Sequence, residues 1–238
     1  MASKPSVEPA PKRPRKLSVG EDVGRQIRAH REASKVSLRE LARRLGISPS
    51  AISQIETGKS RPSVSTLYAI VSELGMSLDE LFSGERQARL AANSPGRAAA
   101  HAATPLSGNG HHVQRADRRR RIELESGVRW ERLTPQPDPN ADFLYMVYGV
   151  GGSSSHGDRF IRHSGREYGL IVSGTLTVTV GFDTYELGPG DSICFDSTLP
   201  HCMRNLGTEP VHGIWLVIGR DSDQRQRAFQ AAAPPDQP

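Results

Sequence analysis

Two histidines and a glutamate in the C-terminal half have the types and spacing of a ligand-holding site. His163 and Glu167 stand four residues apart, just before a pair of β-rich runs, and His201 lies beyond the run GPGDSICFDSTLPH. Two imidazoles and one carboxylate can make a facial triad that leaves coordination positions open. Any one of the three alone would be an ordinary polar residue at a strand end. With Tyr168 and Phe195 beside them, His163, Glu167 and His201 form the expected effector pocket and the expected metal ligands.

A second set of residues, in the N-terminal half, is suited to reading base edges. Ser50, Ser53, Gln54 and Thr57 recur on one side of the segment 48–57, while Ile52 and Ile55 take the other. An exposed helix face free of long aliphatic and acidic residues fits a DNA groove, where Gln can bond adenine in a bidentate way and Ser can donate or accept.

The elements that must carry these groups are legible. Ser18 with Glu21, Ser37 with Glu40, and Ser77 with Glu80 have the spacing of capping boxes. Ser48 before Pro49 reads as an N-cap with proline at the first helical position. Ser63 can cap a fourth helix and Gly75 can end it. The expected helices are 18–33, 37–45, 48–57, 63–74 and 77–82, with a tight turn at Gly46. Leu38, Leu41, Ala42 and Leu45 make an i, i+3, i+4, i+7 stripe, and Val64, Leu67, Val71 and Leu74 make the facing one. From Ile122 the chain changes to short β-rich runs punctuated by Gly and Pro: 143–150, 168–174, 175–180, 192–195 and 211–218. Regular short strands of this kind predict a sandwich or barrel.

Charge is divided along the chain. Residues 1–90 carry 16 Lys+Arg against 10 Asp+Glu, and residues 91–238 carry 15 against 16. All of the surplus positive charge lies on the helical half, the footprint expected for a polyanionic partner. No apolar run approaches the roughly 18 residues of a membrane span. The N-terminus lacks the apolar stretch of a secretory signal, so the expected location is the cytoplasm. Cys194 and Cys202 then read as reduced thiols, the latter as a small buried side chain.

The segment SLRELARRLGISPSAISQIETGKSRPS resembles the phage-repressor, or Xre (Cro/C1), type of helix-turn-helix over residues 20–82. The small Ala42, the turn Gly46, Ile52 and the exit Glu56, Gly58, Lys59 carry the resemblance. It implies that the third helix enters the major groove and the second crosses the backbone. The implied DNA contacts are Arg39, Arg43, Ser48, Pro49, Ser50, Ser53, Gln54, Thr57, Lys59 and Arg61. Residues 140–218 resemble a cupin. HSGREYGLIVSG (163–174) is similar to the end of the first cupin motif, and GDSICFDSTLPHCMRN (190–205) to the second. The first histidine of the usual His-x-His pair falls at Ile161, and Asp196 and Thr198 replace the usual Pro and Gly. His156 is out of register.

The expected architecture is therefore multidomain. A basic disordered tail (1–16) precedes an all-α five-helix DNA-binding domain (17–83). A linker (84–121) ends in Arg118–Arg121, and an all-β single cupin barrel (122–220) and a flexible tail (221–238) follow. The resemblance implies a bacterial transcriptional regulator, not an enzyme, that binds double-stranded operator DNA as a homodimer and senses a small-molecule effector. Three ligands where four are usual favour a metal-free or weakly metal-binding sensor, though the pocket could take a divalent Fe, Mn, Zn or Ni. The alternatives are a metal-dependent cupin oxygenase or isomerase fused to a DNA-binding domain, and an antitoxin-like module. The linker is expected to be too long and flexible to transmit a rigid motion.

Overall fold

The computed structural model describes residues 19–82, 112–138, 140–155 and 159–219. The expected tails, most of the linker, Ser18 of the first capping box, and His156 lie outside these residues.

Among the described residues five α-helices form: α1 (Val19–Ala33), α2 (Leu38–Leu45), α3 (Pro49–Glu56), α4 (Val64–Leu74) and α5 (Leu78–Leu81). The second, third and fourth expected spans start one residue early because the capping serine is itself not helical. Ser37, Ser48 and Ser63 have extended backbones, and their hydroxyls accept from the N–H of Glu40, Ala51 and Thr66. The box at Ser77 is complete: Ser77 N–H donates to Glu80 Oε2 (2.8 Å) and Glu80 N–H donates to Ser77 Oγ (3.2 Å). The box at Ser37 is only half made, because the Glu40 carboxylate turns to Arg43 and Arg44 at 2.7 Å each. Gly46 ends α2 at φ 64°, a conformation that a Cβ would strain, and sets the angle at which α3 leaves.

The expected stripes pack inward. Leu41, Ala42, Ile52, Leu67 and Val71 are almost wholly buried, and α1 adds Val23 and Ile27. Under this core lies an ion pair between α1 and the end of α3. The Arg31 guanidinium donates to both Glu56 oxygens, at 2.6 and 2.9 Å, with both side chains buried. Its remaining reach goes to Val36 O at 3.0 Å. Glu56 in the motif is thus a clamp that fixes α3 on α1.

The C-terminal part is two antiparallel sheets. The six-stranded sheet has the order β1 (Arg121–Glu123), β2 (Val128–Arg132), β3 (Ala141–Tyr148), β9 (Val211–Ile218), β4 (Arg166–Ser173), β7 (Ser192–Asp196). The other runs β6 (Asp183–Leu187), β5 (Leu176–Val180), β8 (His201–Arg204). The five β-rich runs read from sequence are strands β3, β4, β5, β7 and β9. The β-rich runs leave out β1, β2 and β6, which are charged, and the short β8. Strand β6 is an edge strand exposed along most of its length. In β2 the polar residue is buried rather than outward: Glu131 takes Arg119, Arg121 and Arg129 at 3.1–3.3 Å. Arg119 also lies 5.2 Å from the Tyr145 ring. The arginine run at the end of the expected linker therefore belongs partly to the sheet, and the ordered β part begins before Ile122.

The two parts are packed together. Ser65 N–H donates to Ser154 O at 3.0 Å and Glu125 N–H donates to Pro62 O at 2.9 Å. Their buried apolar residues form one continuous cluster.

Removing one member of a buried, bidentate ion pair strands the other in low dielectric. Glu56→Ala should lower unfolding free energy by about 3–5 kcal/mol. Glu40→Ala, in an exposed and solvent-screened cluster, should shift the melt far less than Glu56→Ala. Denaturant melts of the two variants provide the comparison.

Candidate functional site

Strand β4 alternates, so Glu167 points inward and Tyr168 outward. The placement of Tyr168 in the effector pocket is therefore corrected. Its ring is 38% exposed and lines the outer face of the sheet instead. The other expected pocket residues come together. Glu167 Oε1 lies 2.8 Å from His163 Nε2 and 3.2 Å from His201 Nε2, with all three side chains buried. Phe195, on the strand paired with β4, tilts over His201 at 5.0 Å between ring centres. Ile161, at the position of the absent histidine, is paired to His201 through both backbone hydrogen bonds and faces the same cavity.

The surroundings fix what these groups present. His163 Nδ1 is 2.9 Å from Ser164 O, and His201 Nδ1 is 2.9 Å from Leu199 O. A carbonyl can only accept, so each Nδ1 carries the proton and each Nε2 is left facing Glu167. The other Glu167 oxygen is taken: the Trp215 indole N–H donates to Oε2 at 2.6 Å. Trp215 can lie there because its register partner is Gly169, where a Cβ would run into the indole ring.

His163 Nε2 and Glu167 Oε1 are buried without a directed hydrogen bond despite their 2.8 Å separation. When the imidazoles are neutral, two lone pairs and a carboxylate oxygen converge on one point; a proton on either Nε2 turns that contact into an attractive one. Burial opposes ionising Glu167, yet the imidazoles of His163 and His201 outweigh it and hold the carboxyl below the usual carboxylate range. Burial likewise opposes charging His201, and the adjacent Glu167 carboxylate outweighs it and raises the imidazole. The donor set fits a divalent cation, whose positive charge would relieve the crowding. The three ligand atoms lie within 4.8 Å of one another.

Sequence reasoning missed several residues of the cavity. Trp130, Tyr148, Met203 and Trp215 line it, and so do Val64 and Tyr68 from α4. The Tyr68 ring stacks on His163 at 4.4 Å and 13° and meets Trp130 edge-on at 5.6 Å. Nothing in the spacing of the sequence joins Tyr68 to His163. This contact joins the two domains directly, beside the linker expected to be too long and flexible to transmit a rigid motion. Cys202 points away from the site and packs against Ser155 Oγ at 3.4 Å. Asn205, at the end of the second motif, is a loop staple: its amide donates to Tyr148 O, Gly149 O and Glu209 O.

In the helical domain, Arg39, Arg43, Ser48, Pro49, Ser50, Ser53, Gln54, Thr57, Lys59 and Arg61 are all exposed. Arg43 is held by Glu40 at 2.7 Å, an exposed pair that a phosphate can displace. The Thr57 hydroxyl donates to Ser53 O at 2.7 Å and closes the end of α3.

Residues 27–81 match the helix-turn-helix family model and residues 144–217 match the cupin domain model. The chain joins an Xre-type helix-turn-helix domain to a cupin domain. It is similar to the HTH-type transcriptional regulator PuuR of Escherichia coli, 26% identical over 82% of this chain and 91% of the relative. The uncharacterized HTH-type transcriptional regulator y4dL of Sinorhizobium fredii is 41% identical over 24% of this chain and 30% of its own. The solved HTH_3 family transcriptional regulator from Vibrio cholerae has a TM-score of 0.56 at 20% identity, over 84% of this chain and 97% of that one, a likeness of fold. Among the described residues, no helix is long and apolar enough to cross a membrane.

Partners that orient a ligating carboxylate commonly set 10–100-fold of metal affinity. Trp215→Phe frees Glu167 Oε2, so Co(II) or Zn(II) titrations of that variant should show weakening of about that size.

Proposed function

We propose that this protein is a cytoplasmic, sequence-specific DNA-binding transcriptional regulator that works as a homodimer and senses a small-molecule effector through its cupin pocket. The observation that carries the reading is the outward face of α3. Ser50, Ser53 and Gln54 project there, the Gln54 amide has no partner among the described residues, and α3 is clamped from behind by Arg31 and Glu56. Lys59 and Arg61 follow at its exit and Arg39 stands near the start of α2, all exposed cations suited to phosphates. A rigid helix with free polar groups between cations is what base reading requires. The relatives' description as transcriptional regulators supports the same reading.

The cupin supplies the input. His163, Glu167 and His201 would hold a divalent cation, which when bound offers an open coordination position to a ligand's donor atom. With Tyr68 in place the cavity measures about 10 Å³, the space of one water, so any organic ligand must displace Tyr68 to enter.

The homodimer has a surface to use. Tyr168, Leu170 and Val172 on β4 stand exposed beside Ile218 and Phe143, forming an apolar strip on the outer face of the large sheet. Two copies joined through it would present two recognition helices, which operators read about 34 Å apart.

Gln54→Ala should reduce discrimination between operator and mismatched DNA by about 1–3 kcal/mol. Lys59→Ala should weaken all sequences alike and flatten the salt dependence by about one unit of slope. Fluorescence anisotropy at several salt concentrations separates the two. If replacing both Ser53 and Gln54 leaves sequence preference unchanged, α3 is not the reading helix. Leu170→Glu should shift the sedimentation of the protein from dimer to monomer and lower operator affinity; an unchanged dimer would place the interface elsewhere.

A further inference from the structure

A residue of the DNA-binding domain sits in the mouth of the cupin cavity. Tyr68 is 6% exposed, and its ring lies parallel to the His163 imidazole at 4.4 Å, with Trp130 edge-on at 5.6 Å. Behind it are Trp215, Ile161 and the Glu167–His201 pair. Such a slot is shaped by flat rings on two sides and polar acceptors at its floor, the geometry in which an aromatic ring gains most from offset stacking. With Tyr68 in place about 10 Å³ remains, so no organic molecule fits beside it.

We propose that Tyr68 is a built-in stand-in for the effector: the cupin site takes a planar ligand of about one ring, bearing an O–H or N–H donor, which stacks on His163 in place of Tyr68. This rests on the reading of the protein as an effector-sensing regulator and adds the ligand class and the means of response. The ring of the ligand replaces the phenol ring on His163. Its donor faces Glu167 and His201, where a cation, if bound, offers the alternative partner. Occupation of the slot and docking of α4 exclude one another.

The consequence for DNA binding is direct. Helix α4 is in the same small domain as α3, and it is tied to the cupin by the Tyr68 contact and by the Ser65 N–H to Ser154 O bond. While docked, the reading face of α3 holds a fixed orientation on the cupin. A ligand that binds only the undocked form shifts the population toward it by its differential affinity. The two recognition helices of a dimer then lose their set spacing, and operator affinity falls.

Both tryptophans of the chain, Trp130 and Trp215, line this cavity, so intrinsic fluorescence reports on it. The full-length protein is titrated with phenol, and with cyclohexanol as a non-planar probe of the same size. Phenol should bind Tyr68→Ala at least tenfold more tightly than wild type, and cyclohexanol should gain far less. Tyr68→Leu keeps apolar bulk in the core and should retain the fold. It should move in the same direction, whereas Tyr68→Phe, which keeps the ring, should behave as wild type. Equal phenol affinity in wild type, Tyr68→Ala and Tyr68→Leu would overturn the proposal, as would a Tyr68→Phe variant that binds like Tyr68→Ala. In anisotropy, saturating phenol should weaken operator binding by wild type at least threefold and leave Tyr68→Leu unmoved. Phenol binding with no change in wild-type operator affinity would overturn the coupling. A wild type with no sequence-specific DNA binding at all would instead overturn the regulator reading, with the fluorescence titrations still deciding the ligand site.

Discussion

A carboxylate cannot be taken out of water without partners, and Glu167 is taken out almost completely. Much of the cupin half is arranged around that constraint. One oxygen is anchored by the Trp215 indole, which needs Gly169 opposite it in the sheet. The other faces two imidazoles whose tautomers are set by backbone carbonyls. Three lone-pair donors therefore meet at one buried point, a balance that a cation or the proton of a bound ligand can complete. Ile161, standing where the fourth ligand, a third histidine, would be, keeps one wall of this point apolar and leaves the site with an unfilled side.

The unfilled side is covered by the other domain. Tyr68 closes the cavity, and the apolar cluster runs from the helices into the barrel without a break. The helical domain has its own internal fixing device, the buried Arg31–Glu56 pair, which holds α3 rigidly on α1. The reading face and the pocket mouth thus belong to one stiff unit. A change at the mouth need not travel through a chain of side chains to reach α3, because α4 moves as part of the same body.

The helical half was largely legible because its signals are local. Serine caps, Pro49, Gly46 and the leucine stripes act within one or two turns, and each predicted helix is present. The partial failure at Glu40 came from competition, as two arginines one turn on outbid the backbone N–H. The pocket was legible only in part. His163, Glu167 and His201 could be read from spacing, but Tyr168 was put on the wrong face, since adjacency in a strand means opposite sides of the sheet. Strands β2 and β6 were missed because their charges mimic loop composition, and in β2 the charge is buried among arginines. Tyr68 and Trp215 were beyond reach for another reason. Their partners are 95 and 48 positions away along the chain, and no periodicity links them.

In the proposed mechanism the helical domain reads a DNA sequence from a two-fold assembly whose arms are set by the cupin. Selection of tight-binding duplexes from a randomised pool by the full-length protein tests it most directly. Enrichment of a two-fold related sequence is expected, with half-sites about one helical turn, 10–10.5 base pairs, apart or a multiple of it. A pool that stays random through repeated rounds, or that yields a single unpaired half-site, would contradict it.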